Sequence, residues 1–338
     1  MDARVTTGHH PADARRLHLV LIAFAATLGL GVVATLVLAT TSHAMSVTKP
    51  PGQKTVEKTA TLPPNEGATL QALCPRGYSL AWWGTWSAPV VRTEDIKVFA
   101  DGVRVTFVNL LSFGGPIDIS VSVHCVKKKV KVKDGTKKLI ASLVSPKVKL
   151  DMLDLPSSNS GFVDFFCKPR TPIGWGGAAN PELVEKVLRA IDFDEKGILA
   201  FRLGNPFGMT QSLDLSAICL ERRARVKAKG RAIPGSKAAA AAKKVKAKPK
   251  IRQATQRHTI PPHPGGVGST EISAKCKKNF AVTSYGWDAR DNGSLAAFLQ
   301  GPPEFTKRKV SIGVTNQSPQ AHTVSLSAVC LAMKFKGL

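Results

Sequence analysis

Three segments of this sequence alternate apolar with polar residues and close on a cysteine: residues 118–125 (DISVSVHC), 214–219 (DLSAIC) and 325–330 (SLSAVC). The cysteine is in phase with the apolar set each time, as in Ile119, Val121, Val123, Cys125 and in Leu326, Ala328, Cys330. Side chains on a strand point to opposite faces with period two, so these are predicted strands whose cysteines look into a core. His124, one position out of phase, is expected on the outward face. Upstream strands carry a second in-phase set: Leu70, Ala72, Cys74; Val163, Phe165, Cys167; and Ile272, Ala274, Cys276.

The spacing makes this a repeat. The two cysteines of each set lie 51, 52 and 54 positions apart. Trp83-Gly84, Trp175-Gly176 and Tyr285-Gly286 follow the first cysteine in register, and Asn109, Asn205 and Asn316 precede the second. The aromatic-Gly pair fits a strand end before a bend, and the Asn fits a turn. A repeat of about 80 residues is a small domain rather than a solenoid turn. The fold expected is therefore all-β: three tandem small β-sandwiches, Ig-like or jelly-roll-like, at residues 67–126, 139–221 and 265–338. Residues 180–191 (NPELVEKVLRAI), with an N-cap Asn, a first-turn Pro and an apolar stripe, predict a helical insertion in the second.

Ahead of the repeats, residues 19–39 form an uncharged apolar run of a length that spans a bilayer, with Arg15 and Arg16 before it. This predicts a cytoplasmic tail (1–16), a transmembrane helix as membrane partner (17–41), a Pro/Thr/Lys stalk (42–66), and everything beyond placed outside the cytoplasm. The length of the run favours a retained anchor, single-pass with the C-terminal part extracellular. Ser42-His43-Ala44 offers the alternative of a secreted protein cleaved after Ala44.

In an oxidising compartment six cysteines form disulfides. The repeat selects Cys74 with Cys125, Cys167 with Cys219, and Cys276 with Cys330. Metal binding is disfavoured because no C-x-x-C pair occurs, and no cofactor is expected. The net charge of +25 is concentrated in two stretches. Residues 126–150 hold nine Lys and one Asp, and residues 221–258 hold fourteen Lys or Arg and one Glu. These read as basic linkers, at 127–138 and 222–264, between nearly neutral units.

The repeat resembles a cysteine-paired β-repeat found in secreted and surface proteins of actinobacteria and relatives. The residues that carry the likeness are Cys167, Trp175-Gly176-Gly177, Asn205 and Ala217-Ile218-Cys219, with the matching positions around Cys276 and, less closely, Cys74. The resemblance implies a fold and no transferable catalytic residues. The sequence itself contains no G-x-S-x-G, H-E-x-x-H or P-loop pattern, and its cysteines are committed elsewhere, so no enzyme is expected.

The expected role is a non-enzymatic extracytoplasmic binding module of the cell envelope. Two surfaces are candidates. The Trp cluster AWWGTW leaves Trp82 or Trp86 exposed to stack on a carbohydrate or anchor a protein, with Trp83 as core. The second linker presents Arg222, Arg223, Lys243, Lys244, Lys246 and Lys248 to an anionic polymer of the envelope, an anionic lipid or extracellular nucleic acid.

Overall fold

The computed structural model describes residues 46–338, apart from 89, 135–136, 158, 181–187, 194–196, 206–207, 230–244, 263–268, 290–296, 317 and 337–338. The expected cytoplasmic tail, membrane helix and cleavage site lie outside the described residues. Among those described, no helix is long and apolar enough to cross a membrane. Residues Ala44–Leu338 form one compact unit.

Every described element is a strand. After the short β1 (Val47–Lys49), the first repeat comprises β2 (Gln53–Leu62), β3 (Gly67–Leu73), β4 (Tyr78–Trp86), β5 (Val91–Phe99), β6 (Gly102–Asn109) and β7 (Ile117–Lys127). A hairpin follows, β8 (Lys129–Asp134) and β9 (Lys137–Leu143). The second repeat is β10 (Lys147–Leu155), β11 (Ser160–Phe166), β12 (Thr171–Asn180), β13 (Leu188–Phe193), β14 (Ile198–Gly204) and β15 (Gln211–Leu220). β16 (Ala224–Lys229) leads to the third: β17 (Lys246–Ile260), β18 (Thr270–Lys275), β19 (Ala281–Asp288), β20 (Ala297–Phe305), β21 (Lys309–Asn316) and β22 (His322–Lys336).

Within each repeat the pairing is the same. The first, sixth and third strands form one antiparallel trio, and the second, fifth and fourth form another, as in β2-β7-β4 and β3-β6-β5. The pairs Cys74–Cys125, Cys167–Cys219 and Cys276–Cys330 join the two trios, and no cysteine is free. Such disulfides belong to an oxidising compartment outside the cytoplasm. The repeated asparagines do more than turn the chain. Buried Asn109, Asn205 and Asn316 donate their side-chain amides to the carbonyls of Leu62, Leu155 and Ile260, where each first strand ends, at 3.2, 2.9 and 3.1 Å.

Several expectations are corrected. The first and third repeats begin one strand earlier than the expected bounds at 67 and 265, because β2 and β17 pair along the last strand as β10, inside the expected second repeat, does. β2 lies in the expected stalk and β17 in the expected second linker. An edge strand is held by backbone hydrogen bonds with one side left to solvent, so its sequence can stay polar and Lys-rich and still be a strand. The first linker is likewise the β8-β9 hairpin, which β16 extends into a three-stranded sheet. Val130, Val132, Leu139 and Ala141 on it are buried, while Lys129 and Lys131 beside the two valines are exposed. Of the expected helix, Leu188 to Ile191 are strand; residues 181–187 lie outside the described residues.

The repeats interlock through their third strands. β4 pairs with β12 in parallel, Trp83 opposite Gly176 and Gly84 opposite Gly177, which merges two trios into one six-stranded sheet. β13, the fourth strand of the second repeat, pairs with β19, the third strand of the third, at Ala190 and Asp288. A merged sheet has one face for each core: Trp83 packs with the first repeat, whereas Trp82 on the other face packs with the second and third. Each third strand has an irregularity at the equivalent place, at Ala81, Ile173 and Thr283, just before its aromatic-Gly pair. A bulge sharpens local twist, and here it precedes the point where the third strands meet.

Candidate functional site

Polar residues that alternation puts on the outward face are buried at this meeting point. His124 is 1% exposed, and Ser216, Thr283 and Ser284 are fully buried. The Trp83 indole donates to the Ser216 hydroxyl at 2.7 Å, the Trp175 indole to the Tyr285 carbonyl at 2.8 Å, and the Thr283 hydroxyl to the Ile173 carbonyl at 2.7 Å. His124 Nε2 donates to the Val282 carbonyl at 3.2 Å, which leaves Nδ1 to accept from the Thr55 hydroxyl at 3.0 Å. The ring stacks on Phe305 with centroids 4.1 Å apart. His124 therefore clamps the first repeat to the third, and the expectation that it faces outward is reversed: that face is covered by another repeat.

Burial pushes the His124 imidazole down from 6.5 to about 4, against a smaller upward pull from its hydrogen bond to Val282. Its folded pKa lies below its unfolded value. Between pH 6.5 and 4 the unfolded chain thus binds a proton that the folded chain refuses. Stability is expected to fall across that window by roughly 3 kcal/mol. Urea midpoints measured from pH 7 to 4 check this, and His124→Leu should remove the part of the slope that His124 supplies. An unchanged slope in the variant would contradict the assignment.

Trp82 is not the exposed ring that the sequence suggested. Trp82 is 1% exposed, with ring centroids 5.4 to 6.3 Å from Phe305, Trp86, Trp175 and Tyr285. Trp86 is partly buried against the same cluster. The reason is again the merged sheet, which turns the outer face of the first repeat into shared core.

The basic candidates, by contrast, come together. Lys243 and Lys244 lie outside the described residues. Arg222, Lys248, Lys250, Arg252 and Lys334 line a cleft of about 920 Å³ with Thr171, Pro172 and Phe193. An adjoining cleft of about 790 Å³ is lined by Arg222, Arg223, Lys246, Lys248 and Lys336 beside Val226, Val245 and Ala247. No Asp or Glu is among the described lining residues of either. Along β17 the cations recur at every second position, Lys246, Lys248, Lys250 and Arg252, and so share one face. Pairing with β22 sets Lys246 directly opposite Lys336, and Lys248 directly opposite Lys334.

Like charges placed directly opposite on an antiparallel pair are destabilising. The repulsion is felt at Lys250, whose ammonium is held below the usual lysine value by Arg252 first, with desolvation, Lys334 and Lys248 adding to it. Arg222 is fixed at the wall by donating from Nε to the Thr171 hydroxyl at 2.9 Å. Sequence analysis picked out Arg222, Arg223, Lys246 and Lys248 but missed Lys250, Arg252, Lys334 and Lys336. The period-two recurrence in KAKPKIR was a signal available for the first two. The β22 lysines are brought in only by the pairing register.

No family model matches the chain, and no curated protein matches it.

Proposed function

We propose that this chain is a non-enzymatic binding module of the cell envelope, exported and held at the membrane through residues 17–41 or released after Ala44, whose ligand is a polyanion. The observation that supports the ligand class is the basic cleft, where opposed lysines repel one another unless an anion lies between them. Export accords with the disulfides. The non-enzymatic reading rests on the commitment of all six cysteines to cross-links.

Deleting the basic segment is an unsuitable test, since β17 is a strand of the third repeat. Retention of the full chain on an immobilised polyanion, measured from low to high salt, is suitable. Affinity should fall linearly in log-log form, with a slope set by the number of ion contacts. No retention at low salt, or retention indifferent to salt, would sink the polyanion reading.

A further inference from the structure

The cation ladder on β17 and β22 has a spacing as well as a sign. Residues on one face of a strand are about 6.7 Å apart, so Lys246, Lys248, Lys250 and Arg252 present four charges over roughly 20 Å. In an extended chain about three skeletal bonds advance roughly 3.5 Å. A polymer with about six skeletal bonds between successive phosphates therefore repeats at about 7 Å, in step with the ladder. Polyol-phosphate chains and single-stranded nucleic acids share that repeat. Extended polyglutamate sets the carboxylates of one face at the same interval but turns every second charge away from the ladder, so at matched charge it makes about half the contacts of a phosphodiester chain, each of whose phosphates can face the cations.

Nucleic-acid grooves of this kind add exposed aromatic rings on which bases stack. Phe193 is the aromatic residue among the described lining residues of the cleft, and it is 8% exposed. The walls instead hold Arg222 and Thr171, joined by their hydrogen bond, and Pro172. From this geometry we infer that the two adjoining clefts together bind one extended, base-free phosphodiester chain of the polyol-phosphate type, laid along β17 with phosphates against Lys246, Lys248, Lys250 and Arg252, and with Lys334 and Lys336 completing the pairs. The inference rests on the polyanion reading and narrows it to one ligand chemistry and one strand pair.

Binding of the full chain to poly(glycerol phosphate), oligodeoxythymidylate and polyglutamate of matched charge tests it. Poly(glycerol phosphate) should bind at least about ten-fold more tightly than polyglutamate, with a log-log salt slope near −3 for four contacts at the single-strand value per phosphate. Lys248→Gln and Lys250→Gln should each weaken it roughly five-fold and reduce the slope by about 0.7. The same substitutions relieve like-charge repulsion, so they should raise Tm by about 1–2 °C. A merely structural lysine would lower Tm and affinity together.

Lys129→Gln and Lys131→Gln on the β8-β9 hairpin should leave affinity within about two-fold, as charges outside the ladder. Salt-dependent binding that the hairpin variants weaken and the ladder variants do not would overturn the inference while sparing the polyanion reading. Absence of binding to all three polymers would overturn both. Oligodeoxythymidylate binding ten-fold more tightly than poly(glycerol phosphate) would show that bases are read, and would also overturn the inference.

Discussion

Gly174→Ala is expected to destabilise the protein by more than about 4 kcal/mol, in the range reserved for substitutions that force backbones apart. A Cβ at position 174 would lie 1.6 Å from the Ala81 carbonyl oxygen of the first repeat and 3.1 Å from Cβ of Ser284 in the third. By their place after the irregularity in each third strand, Trp82, Gly174 and Ser284 are equivalent positions. Gly174 thus leaves no room for a side chain between the Ala81 carbonyl and Ser284. Alanine can be admitted only if β12 moves away from β4. That movement breaks the parallel pairing of Trp83 with Gly176 and the hydrogen bond from Trp83 to Ser216.

Thermal unfolding of the non-reduced protein measures the effect. Gly208→Ala, where nothing lies within 4 Å and the backbone is ordinary, should change stability by less than about 0.5 kcal/mol. A Gly174→Ala protein that melts with the wild type would refute the close approach of the two strands.

Removal of one disulfide, by Cys167→Ser together with Cys219→Ser, should cost about 4 kcal/mol, the chain-entropy value for a closed loop of this length. The separation of 52 residues is nearly that of the other two bridges, so the three should contribute alike if closure dominates. Their positions differ in one respect. Cys167, Cys219, Cys276 and Cys330 belong to the core shared by the second and third repeats, whereas Cys74 and Cys125 belong to a core built mainly on the first repeat and the β8-β9 hairpin, to which Ile218, Leu220, Leu331 and Phe335 also contribute. Cooperative loss of the second and third repeats, leaving hydrogen-exchange protection in β6 and β7, is the expected pattern for the Cys167/Cys219 variant. Equal protection loss in all three repeats would show that the interlocked strands melt as one. A change below about 1 kcal/mol would show that loop closure contributes little.

How far the sequence could be read depends on what each residue faces. Inward cysteines were legible because a core on one side imposes strict alternation, and the recurrence of that pattern exposed the cross-links. Asn109, Asn205 and Asn316 were legible as a recurring landmark, but their role was not, since the carbonyls they hold are 47 to 56 residues away. The first strands of the first and third repeats, β2 and β17, were missed because edge pairing asks for backbone more than for side-chain burial. Val130-Lys131-Val132-Lys133 carried a clear period of two. Its abundance of lysine drew attention to charge, and the valines that seat the strand on the core were overlooked.

Local alternation and repetition by themselves determined that the chain is built of β-strands, that it repeats three times, and which cysteines are joined. All three follow from short-range periodicity and from equal spacing, which need no knowledge of neighbours. Only the tertiary structure decided that the outer faces at Trp82, His124, Ser216 and Thr283 are interior, and that Lys246 and Lys248 face Lys336 and Lys334. Those facts depend on which strand lies beside which. A strand sequence states what one face prefers, whereas burial of the other face and the charges opposite it are set by partners far along the chain.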